Sequence, residues 1–77
     1  MKPDEKIIDD PLTWDDSYAI ALELAKANPE IDLEEVSLLT IYNWTLALPQ
    51  FDDDPQLAHD GILAAIFQEW FEEVNRL

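Results

Sequence analysis

Carboxylates dominate the reactive groups of this chain, and their densest run is Asp52-Asp53-Asp54. Adjacent like charges repel, so such a run needs a reason. Asp54 has one. Ahead of Pro55 it forms a helix-start signal, in which its side chain caps free backbone N–H groups and the proline gives up a donor that had no partner. Asp52 and Asp53 have no local role of this kind. With Asp54 they read either as a solvated turn or as a surface that meets a cation, whether a metal ion or a basic protein. All-carboxylate sites select poorly among metal ions, and neighbours in a turn rarely aim three side chains at one point. At most two of Asp52, Asp53 and Asp54 are therefore expected to share an ion, and weakly.

Glu69, Glu72 and Glu73 form a second acidic group, near the end of a helix whose dipole disfavours acids. They read as a solvated face or as a recognition patch, and Arg76 is placed to pair with Glu72 or Glu73. Nucleophilic catalysis needs His, Lys or Cys beside Ser or Thr, and the single histidine, His59, falls on an apolar stripe. It reads as a partly buried residue at the core edge rather than a metal ligand. The carboxylates lie on helix faces and turns without pocket-forming loops, so an enzyme is not expected.

Composition narrows the partners. A net charge of −14 argues against nucleic acid, because phosphate contacts need Lys and Arg, and against anionic membranes. It favours a basic protein surface or a hard cation, and self-repulsion favours a monomer. The hydrophobic fraction of 48%, with three Trp, is too high for a chain that stays unfolded. The lack of cysteine excludes disulfides, zinc fingers, thiolate-held clusters and persulfide chemistry. No run suits a signal peptide or a membrane span, so the expected setting is cytoplasmic.

These residues are positioned by one small, mainly α domain of three or four helices over residues 12–77, after a flexible tail at residues 1–11. The tail holds Lys2 and Lys6, half of the basic residues, and a single apolar pair, Ile7-Ile8, able to dock on the domain. The first helix is expected from Thr13, with Asp16 answering as in a capping box. Trp14, Tyr18, Ala21, Leu22 and Ala25 would form its core stripe, with Leu24 beside them, and Pro29 its stop. Asp32, with Glu35 as reciprocal cap, restarts structure. Residues 33 to 48 then fit either one long helix or a break near Ser37-Leu38 followed by a helix capped by Thr40. A core this small favours the break. The last helix is expected from Pro55, with its stripe through His59, Ile62, Leu63, Ile66, Phe67, Trp70, Val74 and Leu77. Gly61 is a weak point in it. Trp14, Trp44, Phe51, Phe67 and Trp70 are the expected core.

Several landmarks carry a resemblance. Leu12-Thr13-Trp14-Asp15-Asp16 is followed by Ile20, Leu24, Asn28-Pro29-Glu30-Ile31-Asp32, Val36, Trp44 and Leu48. Phe51-Asp52-Asp53-Asp54-Pro55-Gln56, Ile62-Leu63, Ala65-Ile66 and Trp70 complete the set. From about Leu12 to Glu73 the chain resembles the IscX family, small acidic accessory proteins of bacterial iron–sulfur cluster assembly. The resemblance implies a modified winged-helix domain and a regulatory adaptor that docks on the basic surface of a cysteine desulfurase, the surface that frataxin-type proteins also use. It also implies weak binding of ferrous iron through carboxylates, with no obligatory cofactor. The acidic face would comprise Asp15, Asp16, Asp52, Asp53 and Asp54, extended by Glu69, Glu72 and Glu73. The chain departs from the family pattern at Leu33, Ser37, Leu38, Leu39, Thr40, Ile41, Tyr42, His59, Asp60 and Ala64. The alternatives are an iron-donating metallochaperone and, from another class, an acidic DNA mimic that occupies a nucleic-acid-binding protein.

Overall fold

Helix α1 (Ser17–Ala27) is set by what stands on either side of it. Before it, Asp16 spends its carboxylate on Thr13: Oδ2 accepts the backbone N–H at 2.9 Å and the hydroxyl at 3.3 Å. The Asp16 N–H in turn donates to the Thr13 carbonyl at 2.9 Å. The expected capping box thus closes a turn rather than opening a helix, and α1 begins later than Thr13. Beyond it, Asn28 leaves the helical region (φ −134°, ψ 63°), as a residue before proline must. Its backbone N–H and side-chain amide both donate to the Leu24 carbonyl at 3.0 Å.

The computed structural model describes residues 11–75. All of the expected tail except Pro11, the Arg76 ion pair and the Leu77 end of the apolar stripe lie outside the described residues.

Residues 33 to 48 break, as the size of the core favours. Asp32 Oδ1 accepts the Glu34 N–H at 3.0 Å and caps a 3-10 turn, Leu33–Glu35. Glu35 answers through its backbone, donating to the Asp32 carbonyl at 2.9 Å. Val36 and Ser37 are extended, and α2 runs over Leu38–Leu46. Its cap is Ser37 rather than Thr40. The extended Ser37 backbone sets Oγ 3.1 Å from the Thr40 N–H, where an N-cap side chain works.

The last helix is shorter than its pattern. Asp54 does cap at Pro55, with Oδ1 accepting the Gln56 N–H at 2.9 Å, but the result is only a 3-10 turn, Pro55–Leu57. Ala58 and His59 are extended, and α3 spans Asp60–Val74. His59 is therefore no core-edge residue. It is exposed and caps α3, with Nδ1 accepting from Gly61 N–H at 3.1 Å and Ile62 N–H at 3.4 Å. Gly61 makes room for this ring: a Cβ there would stand 3.0 Å from His59 Cε1 and 3.2 Å from Nδ1. Its helix penalty is exchanged for a cap.

The three helices enclose one core, with α1 packed most extensively on α3. Ile20, Ala21 and Leu24 of α1 meet Leu63, Ile66 and Trp70 of α3, with Trp14, Leu33 and Ile41 closing the ends. The buried face of α1 thus runs through Ile20, Ala21 and Leu24, and Tyr18, expected on it, is exposed. Trp14 precedes the helix, so its direction does not set the helical register. Trp44, Phe51 and Phe67 pack against this core half-buried, with the Trp44 ring 6.4 Å from that of Trp70. Among the described residues β pairing is limited to an isolated parallel bridge between Leu12 and Phe51, so the domain is mainly α and shows no strand-built wing.

His59→Ala is expected to cost about 1 kcal/mol in urea unfolding. Gly61→Ala alone gains none of the roughly 1 kcal/mol that this change yields in an open helix. In the His59→Ala background the same change becomes stabilising, and a double-mutant cycle reads this coupling.

Candidate functional site

The acidic residues of two distant segments are gathered by one small piece of backbone pairing. Leu12 N–H donates to the Gln50 carbonyl at 2.8 Å, and Asp52 N–H donates to the Leu12 carbonyl at 2.9 Å. Two residues on, Trp14 fastens the same segments. Its indole N–H donates to the Asp54 carbonyl at 2.8 Å, and its backbone N–H donates to Asp53 Oδ2 at 3.0 Å. The ring itself is buried, with Phe51 edge-on at 4.6 Å and Tyr42 stacked at 6.0 Å. The run Asp52-Asp53-Asp54 therefore lies around the Trp14 turn, which brings Asp15 and Asp16 to the same edge of the domain.

The five aspartates are not equivalent. Asp53 is spent on structure, since Oδ1 also accepts the Asp54 N–H at 2.7 Å. Asp54 caps the 3-10 turn and Asp16 closes the Thr13 turn. Backbone N–H groups supply the partial positive charge that these three carboxylates need to sit side by side. Asp15 and Asp52 are exposed, and neither carboxylate has a hydrogen-bond or ion-pair partner among the described residues. Lys26, the one lysine or arginine among the described residues, pairs with Glu23 at 3.4 Å near the other end of α1.

The late glutamates stand on a different element, the C-terminal half of α3. Glu72 accepts from the Gln68 amide at 2.9 Å, and half-buried Glu73 accepts from the Tyr18 hydroxyl at 3.4 Å. Glu69, one turn before Glu73, is also half-buried.

The donor set does not form a metal cage. Asp53 gives both oxygens, and Asp54 one of its own, to backbone N–H groups. No group of three or more His, Cys, Asp or Glu among the described residues stands ready to hold an ion. Nor is any helix among the described residues long and apolar enough to cross a membrane.

Sequence reasoning missed the two donors of Trp14, whose partners lie 39 and 40 residues away. Nothing local signals such a pairing. The cap on α3 did leave a signal, a glycine two residues after a histidine at the head of an apolar stripe.

Asp53→Asn is expected to cost about 1–2 kcal/mol in urea unfolding, because an amide replaces one of two engaged acceptor oxygens with a donor. Asp52→Asn is expected to stay within about 0.5 kcal/mol of the parent, or to stabilise slightly by relieving repulsion.

The gathered acidic edge falls within a segment shared with known proteins. A protein of Pseudomonas aeruginosa that is itself uncharacterized is 39% identical over 62 residues, which cover 80% of this chain and 94% of that protein. The model of a family described as iron-sulphur cluster assembly matches residues 12–75, from the Leu12 bridge to the end of α3. The chain belongs to this iron–sulfur cluster assembly family, the family of IscX.

Proposed function

We propose that the protein is a docking adaptor of iron–sulfur cluster assembly that sets its aspartate edge on a basic surface of the cysteine desulfurase and modulates sulfur delivery. The observation that carries this reading is the unequal state of the five aspartates: Asp16, Asp53 and Asp54 give carboxylate oxygens to backbone N–H groups, while Asp15 and Asp52 are exposed with no carboxylate partner among the described residues. Carboxylates held by their own backbone are preorganised, so a basic partner meets a fixed negative field without ordering it first. Glu69, Glu72 and Glu73 extend the negative field along α3. A frataxin-type protein that uses the same basic surface would compete for it, and a partner of this kind places the protein in the cytoplasm.

The role is one of binding and regulation. The chain contains no cysteine to carry sulfur or hold a cluster. Iron enters this reading as a loosely held ligand, because only Asp52 keeps both carboxylate oxygens of the triad without a protein partner. An iron donor needs a built site, and the donor set here is a poor match to one.

Titration into purified cysteine desulfurase is expected to show binding at low salt that weakens steeply as ionic strength rises. Asp15→Asn and Asp52→Asn should each weaken it by about 2–5-fold without loss of stability. Unchanged binding in the double variant would overturn the edge assignment. Ferrous iron titrated into the isolated protein is expected to bind weakly and to be displaced by Mn²⁺ or Mg²⁺ in excess. Tight, iron-selective binding would favour the metallochaperone instead.

A further inference from the structure

A further acidic group stands outside the aspartate edge and takes no part in the docking proposed above. Glu30, Asp32, Glu34 and Glu35 lie between Pro29 and Val36, and all four are exposed. Asp32 gives Oδ1 to the Glu34 N–H at 3.0 Å, but the Glu34 carboxylate has no partner among the described residues. Alone, such a run is a solvated turn. The apolar surface beside it changes that reading.

Buried Leu33 pins the Leu33–Glu35 turn to the core, and the turn faces the C-terminal end of α3 across a groove of about 220 Å³. Ile31 and Leu33 line one wall and Phe71 and Val74 the other, with Asp32 and Glu34 also in the lining. Both walls are held by their own backbone. Ile31 N–H donates to the Asn28 carbonyl at 3.3 Å. Asn75 donates to the Phe71 carbonyl from its backbone at 3.1 Å and from its side-chain amide at 2.8 Å. Phe71 also stacks on Phe67, with ring centres 6.3 Å apart. Yet Ile31, Phe71 and Val74 stay 39%, 45% and 52% exposed. Three large apolar side chains left open around one groove, beside carboxylates, mark a surface that meets a partner.

The lining selects the occupant. At about 220 Å³ the groove is smaller than the roughly 300–1,000 Å³ of small-molecule sites, and it suits one or two aliphatic side chains. Asp32 and Glu34 bring negative charge with no cation beside it, since Lys26, the one lysine or arginine among the described residues, pairs with Glu23. Anionic lipid and acidic segments are repelled, and a second copy carries −14 itself. Lys and Arg meet both demands of such a site, because their stems cover apolar surface while their heads reach carboxylates.

We propose that the groove between the Leu33–Glu35 turn and the end of α3 is a second docking surface, for a basic protein segment that seats an aliphatic side chain flanked by Lys or Arg. This surface uses none of the five aspartates and does not rest on the desulfurase reading.

The test is an NMR titration of the full chain with two blocked synthetic peptides of equal charge, Arg-Gly-Leu-Leu-Gly-Arg and Arg-Gly-Ser-Ser-Gly-Arg. The leucine peptide is expected to move the amide signals of Leu33, Glu34, Phe71 and Val74, and to bind about 10-fold more tightly than the serine peptide. Ile31→Ser/Val74→Ser, which changes two exposed residues, should abolish this preference, with the Trp14 and Trp70 indole signals reporting an intact core. Glu34→Gln should weaken both peptides by about 2–3-fold. Equal affinity of the two peptides overturns the proposal, as do shifts that centre on the aspartate edge or a preference that survives in the double variant. Groove signals that move with protein concentration alone, with a matching change in sedimentation, overturn it in favour of a second copy. Groove shifts obtained only after removal of Arg76 and Leu77 overturn it in favour of the chain's own end.

Discussion

Trp14 makes the connection on which the rest of this domain depends. Its ring is buried between Phe51 and Tyr42, and both its N–H groups are spent on the segment some forty residues later. A buried indole without a partner for its N–H costs free energy, so the Asp54 carbonyl and the ring hold each other in place. Around this contact the Leu12 bridge fixes the chain direction, α1 leaves on one side, and the Asp54-capped turn leads to α3 on the other. Trp70 is also fully buried in the core, and its Nε1 has no hydrogen-bond partner among the described residues.

The same contact explains how so acidic a chain folds with so small a core. Carboxylates concentrated at one edge repel, and a domain this size has only a few kcal/mol to spare. The arrangement reduces the repulsion by giving Asp16, Asp53 and Asp54 backbone N–H partners, so much of the acidic run is also the material of the turns. Stability and the proposed recognition therefore draw on neighbouring residues with separate tasks. Asp53 fastens, and Asp52 beside it is exposed.

Departures from the family pattern fall mainly on local structure rather than on this edge. Leu33 is buried, Ser37 caps α2, Tyr42 stacks on Trp14 and His59 caps α3. Leu39 and Ala64 are exposed. Ser37 and His59 settle how helices start, and Tyr42 how the Trp14 ring is covered.

By itself the sequence determined the mainly α class, the stop at Pro29, the caps of Asp32 and Asp54, and the apolar residues of α3, and it favoured the break near Ser37-Leu38 without deciding it. The features it determined rest on interactions within a few residues, where type and spacing suffice. The resemblance carried by Trp14, the aspartate run and Trp70 was also legible, and it points to the family that residues 12–75 match. Tertiary structure decided the late start of α1, the break at Ala58 that turns His59 into a cap, and the division of the aspartates into fasteners and free charges. Each of these depends on where the segment around Leu12 and Trp14 meets the segment around Phe51 and Asp54. That meeting is a long-range choice made by burying an indole and satisfying its N–H, and no local pattern encodes it.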